Sequence, residues 1–405
     1  MSTGIDGPRL IARLHEMGAL GRDDQGRLCR LAASDADKAG RDLFCGWLRA
    51  AGLAVEIDRI GNIYGIWTPP GAAGDPLLIG SHIDSVIDAG IYDGCYGTLA
   101  GLAVIEAMQA LPPPSRPLAV VAFTNEEGVR FQPDMMGSLV AAGGMAVDEA
   151  LDATDDKGLR LGDELRRIGY AGRRDPGFLR PHAYLELHIE QGPILEHEGL
   201  QIGVVDSLQG ISWQDIRIEG RANHAGTTPM EGRLDAGVAA ARLIAFLDDL
   251  ARRTPGGVAT VGRLVLHPAA INVIPGAAHL TLDMRNPDEA LLQAQEAATA
   301  DFLNALRGAG FSVTTRPVAR FQPVRFDTHL VATLESAALA RGLGWRRMSS
   351  GAGHDAQMMA RIAPSAMIFV PSRGGISHNP AEFTDQAALI AGADLLLDAA
   401  RKSSA

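Results

Sequence analysis

Leu77-Leu78-Ile79-Gly80-Ser81-His82-Ile83-Asp84 begins as an apolar run of strand length and ends in an imidazole and a carboxylate. Three other stretches are built the same way. Leu118 to Phe123 runs into Thr124-Asn125-Glu126-Glu127-Gly128, and Ala183 to Leu187 into His188-Ile189-Glu190-Gln191-Gly192. Ala366 to Val370 leads to Gly374-Gly375-Ile376-Ser377-His378. Short apolar runs bounded by polar residues read as strands buried on both faces. Ligands of an open α/β sheet gather beyond the carboxyl ends of its strands, so four such endings can converge on one site. Helical candidates at Tyr96 to Ala110 and Thr328 to Arg341 alternate with these strands. The expected class is therefore α/β, a mixed sheet with helices on both faces. The run Pro112-Pro113-Pro114 stops the first of those helices.

Between about Leu208 and Arg325 the rhythm changes. Strand patterns at Ile211 to Ile218, Val258 to Leu266, Ala278 to Arg285 and Phe311 to Val318 enclose helical patterns at Arg233 to Leu250 and Asp288 to Arg307. The order β-α-β-β-α-β is that of a ferredoxin-like α+β unit. Residues 208–325 are thus expected as an inserted domain, and 1–207 with 326–405 as one discontinuous catalytic domain.

A chain of 405 residues with 46% hydrophobic side chains can bury two cores. With 37 Lys plus Arg against 48 Asp plus Glu, its net charge of -11 has the wrong sign for steering towards nucleic acid or an anionic membrane. A small molecule is the expected partner. Cys29, Cys45 and Cys95 are too few for a disulfide framework and suit a reducing compartment. Met1 to Leu20 mixes apolar with charged residues and lacks the apolar core of a secretory signal, and no stretch nears the roughly 18 apolar residues of a membrane span. A cytoplasmic protein is expected.

His82 and Asp84 are two residues apart, which on extended backbone puts both on one face, where the carboxylate can orient a metal-bound imidazole. Asp93 follows in a Gly-containing loop, where a carboxylate can bridge two cations. Glu126 and Glu127 are adjacent, so each raises the other's pKa unless a cation compensates. Their side chains diverge from one strand end, leaving one for a metal and one for the substrate as general base. With His188 and His378 these residues make a nitrogen and oxygen donor set without thiolate, suited to zinc, manganese, cobalt or nickel. Each residue alone is also compatible with an ordinary hydrogen-bonded loop position.

In the inserted segment, Asn223-His224-Ala-Gly-Thr-Thr-Pro-Met230 is either a functional loop or a helix start capped by Thr227 or Thr228 ahead of Pro229. Asn272, in the turn-like Ala270 to Gly276, can bind a ligand or cap its turn. Arg285 can pair with Asp283 or Asp288, or clamp a carboxylate in bidentate fashion.

The motifs GSHIDSV, YDG, FTNEEGVRF, LELHIEQGP, NHAGTTPM, INVIPG, DMRNPD, SGAGHDA and GGISHNPAEF follow one another along nearly the whole chain. Together they resemble the di-metal aminoacylase and carboxypeptidase family (M20-type), in its hydantoinase/carbamoylase branch of N-carbamoyl-L-amino acid hydrolases, β-ureidopropionases and allantoate amidohydrolases. Asp88-Ala89-Gly90 stands where that family commonly has two glycines. The resemblance implies two divalent metal ions per subunit bridged by Asp93, with His82 and His378 on one and Glu127 and His188 on the other. It makes Glu126 the general base for the water between the metals. It also implies that His224 steadies the oxyanion in a partner subunit's site, that Gln191, Asn272 and Arg285 bind substrate with Arg285 on its carboxylate, and that residues 208–325 form a lid through which a homodimer assembles. Trp213 stands where several carbamoylases carry Trp and allantoate-cleaving members a cation, which favours an apolar amino-acid side chain.

The expected activity is hydrolysis of N-carbamoyl-L-amino acids to amino acid, carbon dioxide and ammonia. Its rival is a sister amidase acting on allantoate, a β-ureido acid or an N-acyl amino acid. A peptidase of short peptides fits the HIEQGP segment less well. A non-catalytic binding protein of the same fold would be expected to lose Glu126 or a metal donor, and all are present. No strand-linked G-x-G-x-x-G or G-x-x-x-x-G-K-[ST] marks a nucleotide site.

Overall fold

The structure, a computed structural model, describes residues 4–405, so the first three residues of the Met1 to Leu20 stretch lie outside it. The chain divides into two compact units, one running to Asp206 and resuming at Phe326, the other Ser207–Arg325.

The first unit is built on a mixed sheet. Its strands lie in the order Ile202–Leu208, Ser365–Val370, Ala183–Ile189, Leu77–His82, Leu118–Phe123, Ile63–Trp67 and Ala54–Ile57, with Trp345–Ser350 paired to the first. The four strands that carry the polar endings are the four central ones, and they run parallel. Their neighbours on either side are antiparallel. Every residue of the four is buried, which explains why they read as unbroken apolar runs and not as alternating ones. The helix Cys95–Gln109 packs on Leu77–His82, Leu118–Phe123 and Ala183–Ile189, Gln386–Ser403 on Ala183–Ile189 and Ser365–Val370, and Asp35–Ala50 on the antiparallel strands. Because the central strands are parallel and adjacent, all four polar endings emerge at one edge of the sheet.

The second unit is a four-stranded antiparallel sheet in the order Val258–His267, Ala277–Asn286, Gly210–Glu219, Ser312–Phe321. The helices Ala236–Arg253 and Glu289–Gly308 cover one face over a core that includes Ile216, Leu243, Leu280, Met284 and Leu303. The first of these helices starts three residues later than its apolar spacing suggests. Asp235 caps it, accepting from Gly237 N and Val238 N at 2.9 and 3.1 Å. Thr227 and Thr228 cap nothing; the Arg233 guanidinium instead folds back onto the carbonyls of Ala225, Thr228 and Pro229. Among the described residues, no helix is long and apolar enough to cross a membrane.

Candidate active site

Each strand ending delivers its side chains to the same edge. His82 is the last residue of its strand, and His188 is the penultimate residue of Ala183–Ile189, inside the strand and not in the loop beyond. Glu126 and Glu127 follow Phe123, and His378 stands past Val370 with a left-handed backbone, φ 53°. Asp93 precedes the helix Cys95–Gln109. A non-glycine residue with positive φ is uncommon and collects at functional sites. Gln191 and Asn125 share that conformation here.

The rings converge on Asp93. His82 Nε2 and His188 Nε2 lie 3.5 and 3.1 Å from Asp93 Oδ1, and His378 Nε2 lies 3.2 Å from Oδ2. His82 Nε2 is also 3.4 Å from Glu126 Oε2, and His378 Nε2 is 3.4 Å from Glu127 Oε2. The two glutamates therefore do point apart. Two rings are set from behind: His82 Nδ1 donates to Asp84 O at 3.0 Å and His188 Nδ1 to Ile189 O at 2.8 Å, turning each Nε2 into the site, where that of His188 also meets Gly94 N at 3.2 Å. Asp84 acts differently from the expectation. Its backbone carbonyl holds the His82 ring, while its carboxylate, 3.8 Å from Nδ1, accepts from Glu126 N and Glu127 N at 3.2 and 3.3 Å. It thereby ties the two glutamates to the histidine's loop.

Two donor groups share Asp93, with their donor atoms within 4.8 Å of one another: His82, Asp93 and His188, and Asp93, Glu127 and His378. This corrects the pairing of His82 with His378 and of Glu127 with His188. The reason is topological. His82 and His188 end neighbouring strands, whereas His378 arrives on a long loop at the side where Glu127 points. Glu126 belongs to neither group.

The electrostatics fit cations at these positions. Three imidazole nitrogens face one carboxylate at 3.1 to 3.5 Å, an arrangement that needs a proton or a cation between them. Glu127 Oε1 is buried without a hydrogen-bond partner. Burial raises the Glu126 carboxyl well above its usual range, and burial next to Asp93 lifts Glu127 to about 8. Burial alone would raise Asp93 and lower His82. Hydrogen bonds from His188, His378 and His82 overcome this and hold Asp93 well below its usual value, and Glu126 with the other carboxylates lifts His82 well above it. Asp93 raises His378 to about 9. The cluster binds protons where bound cations would relieve it.

Other residues complete the wall. Gln191 Nε2 donates to Asp93 Oδ2 at 2.8 Å. His354, buried and held well below the usual imidazole pKa by that burial, packs edge-on to His188 with ring centres 4.5 Å apart and meets Ser350 Oγ at 3.0 Å. Glu186, buried in the middle of its strand, accepts from Ser81 Oγ at 2.7 Å and Ala356 N at 2.8 Å, holding the His354 loop to the sheet. Sequence reasoning assigned no role to His354, Glu186 or Glu382. All three lie in the motifs LELHIEQGP, SGAGHDA and GGISHNPAEF, and a Glu inside an apolar strand was itself a signal, since a buried charge needs partners.

The remaining candidates sit in the second unit. His224 and Asn272 come together there: Asn223–His224 pairs with Val273–Ile274, and Ala225 N donates to Asn272 O at 2.9 Å. His224 is exposed, its Nδ1 accepting from Gly226 N and Thr227 N. Arg285 meets Asp283 at 2.8 Å, one of the two pairings open to it.

The segment 78–402 matches the model of peptidase family M20/M25/M40. The chain belongs to that family. An N-carbamoyl-L-amino-acid amidohydrolase of Rhizobium meliloti is 41% identical over 402 residues, covering 98% of this chain and 96% of that protein. An allantoate deiminase of Arabidopsis thaliana is 35% identical over 416 residues, covering 92% and 78%. Among solved structures, an amidase of the hydantoinase/carbamoylase family from Burkholderia multivorans superposes with a TM-score of 0.95 at 41% identity, covering 100% and 99% of the two chains. The chain is an amidohydrolase, a hydrolase of C–N bonds outside peptides.

The family match starts at residue 78, yet two buried arginines from the preceding segment brace the site. Arg30 donates to Ile83 O at 2.7 Å, and Arg41 to Thr124 Oγ1 at 3.1 Å. The departure at Asp88-Ala89-Gly90 keeps the glycine that geometry demands: a Cβ on Gly90 would stand 2.2 Å from Glu382 Oε1.

Proposed function

We propose that this chain hydrolyses the carbamoyl amide of N-carbamoyl-L-amino acids, with one water giving the amino acid, carbon dioxide and ammonia, in the cytoplasm. The observation that carries the reading is the pair of donor groups sharing Asp93, with Glu126 beside them and outside both. His82, Asp93 and His188 would hold one divalent metal, zinc, manganese, cobalt or nickel, and Asp93, Glu127 and His378 a second. When bound, such ions lower the pKa of water and polarise a carbonyl. Glu126 takes the proton from the attacking water and returns it to the leaving nitrogen. Arg285 holds the substrate carboxylate, Gln191 and Asn272 orient the rest, and His224 donates to the developing oxyanion. Trp213 shares a sheet face with Arg285, since Ile211 pairs with Arg285 and Trp213 with Asp283. The face of its indole ring offers apolar surface beside the carboxylate for a substrate side chain.

The positions of these residues support a homodimer through the inserted unit. The Asn223–His224 ladder leads off the end of the sheet where Ala277 pairs with Glu219, whereas Arg285 lies eight residues along that strand, roughly 27 Å away at the usual rise. One small substrate cannot touch both from a single unit, so His224 and Asn272 would come from a second copy. The strand Val258–His267 is one of the sheet's two edges, with Val258, Leu264 and Val265 exposed, as an edge awaiting a partner would be.

The test is ammonia release by manganese-loaded protein across N-carbamoyl-L-amino acids, allantoate, β-ureidopropionate and N-acyl amino acids, with a chelated control. Chelator-sensitive turnover of the carbamoyl series is expected. Silence on that series with turnover of allantoate or an acylated amino acid would overturn the substrate and keep the metal chemistry. Arg285→Ala should raise KM for carboxylate-bearing substrates by about 10- to 100-fold, the worth of a charge-assisted hydrogen bond. An unchanged KM would remove the clamp.

A further inference from the structure

We infer that Glu382 is a positioning residue that locks the loop carrying Asp93 to the loop carrying His378, and so sets whether the two can share one metal. The inference rests on the two-metal reading above.

Glu382 is 6% exposed, and among the described residues no Lys or Arg pairs with it. A buried carboxylate without a cation is costly unless hydrogen bonds replace its water. Here they come from both loops. Oε1 accepts from the consecutive amides of Tyr92 and Asp93 at 3.0 and 3.3 Å. Oε2 accepts from Ser377 Oγ at 2.9 Å, next to His378. The same hydroxyl lies 3.2 Å from Asp93 Oδ2. Glu382 N donates to Asn379 O at 2.9 Å, closing the turn just after the left-handed His378. Gly90 leaves the space the carboxylate occupies, since a Cβ there would stand 2.2 Å from Oε1 and 2.4 Å from the carboxyl carbon.

The two donor groups depend unequally on this lock. His82 and His188 are held by strands, so their approach to Asp93 is set by the sheet. His378 is held by a loop, and its 3.2 Å approach to Asp93 relies on what joins the two loops. Metal–donor distances tolerate only about 0.2 Å. Loosening the lock therefore harms the Asp93, Glu127 and His378 position first.

The experiment is titration of metal-free protein with Mn²⁺ by calorimetry, with unfolding of each metal-free variant followed in parallel. The wild type should take up two equivalents. Glu382→Ala should keep one near its wild-type affinity and weaken the other by about 10- to 100-fold, as loss of a partner behind a metal ligand does. Glu382→Gln, which keeps an acceptor for the two amides but not the charge, should restore most of that loss. Gly90→Ala, which displaces the carboxylate without removing it, should reproduce the selective loss if Glu382→Ala does not fold. Unchanged affinities, equal weakening of both equivalents, or a Gln variant as poor as Ala would each overturn the inference. A wild type that takes up fewer than two equivalents would overturn the two-metal reading itself, and the inference with it.

Discussion

Replacing Gly94 by Ala puts a methyl group where the His82 ring stands. The added Cβ would lie 2.4 Å from His82 Cε1 and Nε2. Non-bonded carbon contacts settle near 3.5 to 4.0 Å, so the ring must retreat by about 1 Å. A metal donor position is lost after a shift of about 0.2 Å, so the His82, Asp93 and His188 group fails while Glu127 and His378 keep their places. The backbone adds strain: Gly94 has φ 62° and ψ -50°, and Cys95 N donates to Asp93 O at 2.6 Å, which is a γ-turn with a conformation that side chains resist. That strain costs about 1–3 kcal/mol, against a total stability of about 5–15 kcal/mol, so the variant should fold. Gly143, also at positive φ (71°) but with nothing near its added Cβ, supplies the control for strain without collision. The assay is metal content after dialysis against limiting manganese, with turnover alongside. Gly94→Ala should hold one equivalent and lose activity, and Gly143→Ala should match the wild type in both. Two retained equivalents and normal turnover in Gly94→Ala would refute the assignment of His82 to a metal.

Other expectations concern separate parts of the molecule. Glu126→Gln should lower kcat by about 10²- to 10⁴-fold, the usual worth of a general base, while keeping both metal equivalents; metal loss accompanying the drop would sink the base assignment. Mixing inactive Glu126→Gln with inactive His224→Ala should restore about a quarter of wild-type activity, because half the random dimers then hold one site with both groups intact; no recovery after subunit exchange would rule out His224 acting across a dimer. Asp58 is pushed up to about 7 by burial, from 3.8. Between those values the folded state holds the extra proton, so the contribution of Asp58 to stability is greatest at the acid end and falls as pH rises to 7, by up to about 4 kcal/mol. Urea unfolding of Asp58→Asn should show a flatter profile over that range, and a slope equal to the wild type's would exclude Asp58 as its source.

The mixed α/β class was legible because strands buried on both faces must be continuous apolar runs, and the four that matter are. The β-α-β-β-α-β order of the inserted segment was legible for a similar reason, although its first helix begins at Ala236 because Asp235, and not the earlier threonines, offers a carboxylate to the first amides. The kinds of side chain at the strand ends, imidazole and carboxylate without thiolate, are local facts and stand in the sequence as written.

Which of those side chains meet is not local. The partition of donors between His82 with His188 and Glu127 with His378 follows from the sheet order and from the path of the loop after Val370. Neither has a period or a propensity to announce it. The same holds for Asp84, whose two-residue spacing from His82 allowed a carboxylate contact but whose carbonyl makes it. Glu382 could not be connected to Tyr92 and Asp93, 290 and 289 residues away along the chain, from any pattern within either segment. Hydrophobic periodicity reports only whether a residue faces the core. The chain by itself determined that strands would form and that they would end in imidazole and carboxylate groups. Strand order and loop closure, set by packing between distant segments, decided which groups face one another.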